Sequence, residues 1–233
     1  MIILGLESST SLASVAINID GKVAYEKASP RQRSHSEFLN PALEEGLKNL
    51  NISLNQIDLI VVGNGPGSFT GIRVAANLAK TLSYALNKPL LTIDSLRVLA
   101  LQAVPTHQGP ILSILNAYKN LVYYGLYDFS ENTLKTVKEP SVCNLDELES
   151  FITQPTLVVG DGYSTFQPYF SPKLSHFFYR DLDLSDFPLA STLSNMGAKE
   201  FLQKNSQLNW RDYSPLYIRA SEAEENLERK NKR

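Results

Sequence analysis

The nine residues Gly63-Asn64-Gly65-Pro66-Gly67-Ser68-Phe69-Thr70-Gly71 stand between the apolar run "IDLIVV" and the helix-like "IRVAANLAKTLSYAL". Four glycines and a proline in that setting predict a tight strand-to-helix turn. Such a turn aims backbone N–H groups near the positive end of a helix dipole, which attracts anions. Ser68 or Thr70 can cap the helix while offering a hydroxyl to phosphate, and Arg73 adds charge one turn in. The alternative is a turn that needs glycine dihedrals and binds nothing. The specific nucleotide templates do not fit. A Walker loop requires Lys-Ser/Thr after its last glycine, where Ile72-Arg73 follow Gly71. The dinucleotide fingerprint requires a glycine at Ser68, and the esterase elbow requires serine where Phe69 stands.

Composition narrows the function classes. A chain of 233 residues with 43% hydrophobic content can fill one large core or two smaller ones. A net charge of −2 gives no general electrostatic reason to bind nucleic acid. The single cysteine, Cys143, excludes an internal disulfide and fits a reducing compartment. "MIILGL" lacks a basic leader, and Glu7 interrupts an apolar run too short for a signal or membrane segment. The expectation is a soluble cytoplasmic protein without a membrane span.

Outward from the glycine turn, the first hundred residues read strand, strand, strand, helix, strand, helix, strand. "IILGLE", "LASVAINI" and "KVAYEKA" are the strands of a meander, with Asp20-Gly21 as a hairpin signal. Ser34 or Ser36 is placed to cap a helix running to about Leu50. "IDLIVVG", "TGIRVAANLAKTLSYAL" and "KPLLTID" complete the series. A second region begins near Pro105. There "ILSILNA" and "LVYYGLYDF" pair around "YKN", "NLDELESFI" forms a short helix capped by Asn144, and "PTLVVGDGY" forms a strand. Residues 164–189 lack periodicity, and "LASTLSNMGAKEFLQKN" returns to helix. The expected organisation is a first lobe over 1–104, a smaller second lobe over 105–220 with a return helix, and a charged, disordered tail over 221–233.

The candidate chemistry is thin. Glu7 ends the first strand. It suits a metal-bound water, or equally a carboxylate that caps the "SST" turn or pairs with Arg73, while Ser9 stands where a glycine would let phosphate approach. Gly160-Asp161-Gly162 reads as a second nucleotide loop or an ordinary turn. His35, His107 and His176 show no zinc-binding spacing, and His35 reads as a helix-start residue. The aromatics of "LVYYGLYDF" and "SHFFYRDLDLSDFPL" lack interleaved cations and read as core. No catalytic set and no metal set is legible.

The strings "GPGSFTGIRVAANLAKTLSYAL", "SHSEFLNPALEEGL", "ILGLESSTSLASVAI" and "PLYIRASEAEEN" resemble the bacterial TsaB (YeaZ) family of tRNA threonylcarbamoyladenosine biosynthesis proteins. The resemblance covers residues 1–104, thins from Asn116 to Leu189 and returns near Pro215. It implies an α/β protein with two lobes of the actin/Hsp70-like (ribonuclease H-like) fold. It also implies a non-catalytic partner of the transferase TsaD, acting with the ATPase TsaE on the adenosine beside the anticodon. By this reading tRNA is met only through the complex, and self-association is an alternative to the heterodimer. Glu7-Ser-Ser-Thr10 stands in place of Asp-Thr-Ser-Thr, Ala75 in place of glycine, and Asn116-Ala-Tyr-Lys119 in place of Asp-Ala-Arg. These departures imply that no cofactor is required and that ATP or ADP binds weakly, through Glu7, Ser9, Gly65, Gly67, Ser68, Thr70, Gly71, Arg73, Gly160 and Gly162.

The partner surface is expected on Phe38, Ala42, Leu43 and Gly46 of one helix and Ala75, Ala79 and Leu82 of the other. Both helices carry more apolar positions than one sheet-facing stripe requires. The competing reading is that these small residues face the chain's own sheet. A small-molecule kinase of the same fold is the alternative function. A peptidase is disfavoured by the missing nucleophile–base spacing.

Overall fold

The computed structural model describes residues 1–29, 35–204 and 209–219. β1 (Ile2–Glu7), β2 (Ser14–Ile19) and β3 (Lys22–Ala28) form an antiparallel meander in which Ile2 faces Ile19 and Glu7 faces Ser14. The chain then runs through α1 (His35–Asn49) to β4 (Leu59–Gly63), α2 (Phe69–Leu86) and β5 (Leu90–Ile93). β4 and β5 add parallel to β1, giving the order β3-β2-β1-β4-β5. β1 and β4 are apolar almost throughout because helices cover both faces of the sheet. Ser34 and the side chains of His35 and Ser36 lie outside the described residues, and with them the capping expected there. The expected tail over 221–233 lies outside them as well.

The second lobe repeats the first. After α3 (Ser95–Ala103), a meander of β6 (Gly109–Asn116), β7 (Leu121–Ser130) and β8 (Thr133–Asn144) leads into α4 (Leu145–Leu148) and β9 (Thr156–Val159). Next come α5 (Asp161–Phe166), α6 (Pro172–Phe177), the short β10 (Phe178–Tyr179) and α7 (Ala190–Lys204). The sheet order is β8-β7-β6-β9-β10, with β9 parallel to both β6 and β10. Both sheets therefore have a central strand that opens a meander on one side and carries parallel strands on the other. The hairpin similarity between the halves of the sequence is the trace of this duplication.

The last helix of each half crosses to the other lobe. α3 follows β5 but packs on β6, β7 and β9, burying Leu96, Leu99, Ala100 and Ala103 in the second core. α7 follows the second sheet but packs on β1, β2 and β4, burying Leu193 and Met196 against Ile3, Val61 and Ile93. Its entry is fixed by Ala190 N donating to Ser14 Oγ at 2.9 Å and Asn18 Nδ2 donating to Asn195 Oδ1 at 2.5 Å. The division expected at residue 104 thus needs correcting in three dimensions. Residues 95–103 belong to the second core, and residues 190–204 to the first. The unread α3 had its signals: Asp94 Oδ1 accepts from Arg97 N at 2.7 Å as the N-cap, and the buried positions follow at helical spacing.

Candidate functional site

Where β1 and β4 end side by side, their two turns are bonded together. Ser68 caps α2, its Oγ accepting from Gly71 N at 3.3 Å, while Ser68 N donates to Ser9 O at 2.6 Å. Ser8 Oγ donates to Gly71 O at 2.7 Å. Gly67 lies directly on Ser9, and a Cβ on Gly67 would overlap the Ser9 carbonyl. Gly65, in the left-handed region at φ +85°, accepts on its carbonyl from Ser95 N at 2.8 Å. Part of the donor set expected for an anion is therefore spent within the chain. The glycines of the turn serve close backbone approach between β1, α2 and α3.

Glu7 lies beneath this junction, wholly buried. Its Oε1 accepts from Ser9 N at 2.7 Å and its Oε2 from Ser95 Oγ at 2.9 Å. Burial pushes its carboxyl above the ordinary value, and the bonds from Ser9, Ser95 and Ser8 oppose that shift. Gly63 makes room for it, because a Cβ there would overlap the carboxylate. Of the roles considered for Glu7, the structure shows the cap of the "SST" turn. The pairing with Arg73 is absent. Arg73 instead donates from Nε to Tyr217 Oη at 3.1 Å and lies over the stacked rings of Phe69 and Tyr217, whose centroids are 4.7 Å apart.

Above the junction an open cleft of about 540 Å³ separates the lobes. Ser68, Phe69 and Thr70 at the start of α2 face Tyr118, Lys119 and Arg219 across it. The β6–β7 turn holds Tyr118, Lys119 and Asn120 all at positive φ, between 54° and 61°, and leaves the Tyr118 ring exposed. Such backbone is costly for residues other than glycine. Asn116 Oδ1 accepts from Tyr118 N at 2.8 Å, and Asp161 Oδ1 accepts from Asn116 N at 3.0 Å. Gly67, Ser68 and Thr70 thus line the cleft as expected, while Glu7, Ser9 and Gly65 lie below it and Gly71 is engaged with Ser8 and Ser68.

Gly160 and Gly162 do not join that lining. A Cβ on either would run into the Ile114 backbone, so this pair serves close packing of α5 on β6. Residues 213–219, whose role the "PLYIRA" string alone signalled, form a strap between the lobes. Tyr213 is buried in the first core, and Leu216 N donates to Asn64 O at 2.9 Å. Ile218 packs on the second core, and Arg219 Nη1 donates to Ala117 O at 2.6 Å.

The residues expected to meet a partner are placed elsewhere. Phe38, Ala42, Leu43, Ala75, Ala79 and Leu82 all belong to the first core. A Cβ on Gly46 would sit 2.7 Å from the Tyr25 ring. α1 needs its wide apolar face because it covers β2 and β3 as well as packing on α2. The outward positions of the two helices are instead Pro41, Glu44 and Glu45, and Arg73, Asn77, Thr81 and Tyr84.

Among the described residues no three His, Cys, Asp or Glu side chains gather as a metal set, and no helix is long and apolar enough to cross a membrane. Cys143 is buried, which pushes its thiol up to about 12.

Two sheets of one topology, exchanged closing helices and a cleft between a glycine-turn helix and the opposite lobe define the two-lobed actin-like class. A family model described as TsaD, tRNA N6-adenosine threonylcarbamoyltransferase, matches residues 26–227. The tRNA threonylcarbamoyladenosine biosynthesis protein TsaB of Haemophilus influenzae is 28% identical over 229 residues, 93% of each chain. The TsaB of Bacillus subtilis is 32% identical over 167 residues, 71% of this chain and 72% of its own. The solved structure of YeaZ from Pseudomonas aeruginosa superposes with a TM-score of 0.79 at 23% identity, covering 93% of this chain and 99% of that one. The chain belongs to the TsaB family, within the wider TsaD-related family that the matching model describes.

Proposed function

We propose that this chain serves threonylcarbamoyladenosine biosynthesis in tRNA as a cytoplasmic, non-catalytic subunit that supports a TsaD-type transferase together with a TsaE-type ATPase. The observation that carries the reading is the enclosure of Glu7. A phosphotransferase of this fold needs a carboxylate open to magnesium and phosphate. Here the carboxylate at the end of β1 is wholly buried, bonded to Ser9 and Ser95, and roofed by the contact of Gly67 with Ser9. Exposing it would break charge-assisted hydrogen bonds and separate the two turns. The cleft above keeps the helix N-terminus and two cations, so an adenine nucleotide is expected to bind there weakly and without turnover.

The partner surface falls on the outward faces of α1 and α2, with Asn77 and Tyr84 near its middle. Self-association would use the same faces. tRNA is met through the assembled complex.

The test is a reconstituted transfer assay with the TsaD-type and TsaE-type proteins of the same organism, ATP, threonine-derived adenylate and tRNA. Omitting this chain should abolish modification, and this chain without the TsaD-type protein should yield none. Modification by this chain alone would overturn the reading, as would full activity in its absence.

A further inference from the structure

Every cation lining the cleft comes from the second lobe or the strap, and no Asp or Glu is among its described lining residues. Lys119 and Arg219 face the N-terminus of the eighteen-residue helix α2, so an occupant meets positive potential from both walls. Ser9 Oγ, buried under Gly67, has no hydrogen-bond partner, so the floor also offers a polar group. The strap delivers the chain to this place. Arg219 both bonds to Ala117 O and lines the cleft, and the sequence that follows it is Ala220-Ser221-Glu222-Ala223-Glu224-Glu225. Three carboxylates thus come within six residues of the cleft wall, a length of chain that reaches at most about 20 Å.

We propose that Glu222, Glu224 and Glu225 are the resident occupants of this cleft, an internal competitor for phosphate-bearing ligands. The inference rests on the reading of the cleft as a weak anion site. Charge complementarity selects the segment, and tethering supplies it at a local concentration on the order of millimolar. Weak nucleotide binding then has a second cause besides the spent donors of the glycine turn. The cleft is open to a ligand only in the fraction of molecules whose acidic segment has left it. An apparent affinity falls in proportion to that fraction.

The test uses the full chain and a triple Glu→Gln variant at positions 222, 224 and 225. A zero-length carbodiimide should couple Lys119 to one of these glutamates, as read by peptide mass spectrometry, and tripolyphosphate should suppress that product. Calorimetry with tripolyphosphate should show the triple variant binding about tenfold more tightly if the segment holds the cleft in nine molecules of ten. Coupling of those glutamates to other lysines but not to Lys119 would overturn the proposal. Equal tripolyphosphate affinity in the two proteins would do the same, and so would glutamate-to-Lys119 coupling found only between two copies of the chain. Binding that is undetectable in both proteins would remove the anion site itself. The transfer assay reads the subunit role separately, because that assay needs no anion in this cleft.

Discussion

Replacing Gly63 with alanine tests whether the Glu7 junction is a built feature or a bystander. Gly63 lies in β4 with ordinary strand backbone, so a methyl group there carries no conformational penalty of its own. Its cost comes from one neighbour. The new Cβ would occupy the position of the Glu7 carboxylate, which must swing away from Ser9 N and Ser95 Oγ with no solvent to receive it. Hydrogen bonds to a charged group contribute about 1.5–3 kcal/mol each, so losing both costs about 3–6 kcal/mol. Whole-domain stabilities are on the order of 5–15 kcal/mol, which makes this a large fraction of the total. For a chain of this size the melting temperature should fall by about 6–24 °C.

The decisive measurement is a double-mutant cycle by scanning calorimetry over wild type, Gly63→Ala, Glu7→Ala and the double variant. With the carboxylate gone, the added methyl meets space, so the cost of Gly63→Ala should drop below about 1 kcal/mol in the Glu7→Ala background. Equal costs in the two backgrounds would refute the steric account, as would a single variant melting within about 2 °C of wild type, where the expected loss is several kcal/mol.

Other perturbations separate the remaining parts of the account. Burial raises the Glu7 carboxyl above its ordinary 4.5, so its contribution to stability is fully present below about that pH and is lost as pH climbs through the folded value. Glu7→Gln does not titrate, so urea denaturation from pH 4 to 8 should show the stability difference moving in the variant's favour as pH rises, and a constant difference would contradict the burial. Ala79→Arg places a charge in the first core, where Ala79 is 0% exposed, and should fail to fold by circular dichroism, at a cost above about 4 kcal/mol. Asn77→Arg, two residues away on the outward face, should fold normally yet weaken co-elution with the TsaD-type partner, by several kcal/mol if it sits at the centre of an interface of about 1,600 Å². Tyr217→Ala removes the stack on Phe69 and should cost about 0.5–1.5 kcal/mol, whereas Tyr217→Phe keeps the ring and should melt close to wild type.

The glycine turn, the first sheet and both long helices of the first lobe were legible because each has a local signature. Apolar runs, a cap at Ser68 and a breaker-rich turn depend only on neighbours in sequence. β8 was not legible. As an edge strand with Lys135, Lys138 and Pro140, most of it exposed or half-buried, it offers little hydrophobic alternation to detect. The outward-face reading of α1 and α2 failed for a related reason. A helix pressed by a sheet, a twisted hairpin and a second helix needs apolar residues over a wide arc, and the sequence does not say which neighbour each one meets. Gly46 against Tyr25 and Ala79 in the first core look the same on paper as a surface awaiting a partner.

The exchange of α3 and α7 marks the deeper limit, and it also bears on how the lobes work together. An apolar stripe such as Leu96, Leu99, Ala100 and Ala103 reads identically whether it covers the sheet before it or the sheet after it. Only the three-dimensional path shows that Asp94-Ser95 is the crossing point between lobes. There Ser95 bonds to Gly65 and Glu7 of the first lobe, while Asp94 Oδ1 accepts from Tyr127 Oη of the second at 3.1 Å. Burial pushes the Asp94 carboxyl up, as it does that of Glu7, so two buried carboxyls flank this one crossing. A change in the angle between the lobes must strain these bonds or those of the strap from Tyr213 to Arg219, since both span the same boundary. The cleft between them is therefore a place where an occupant, internal or external, can be felt at the glycine turn and along α2. That path leads to the outward face proposed for the partner.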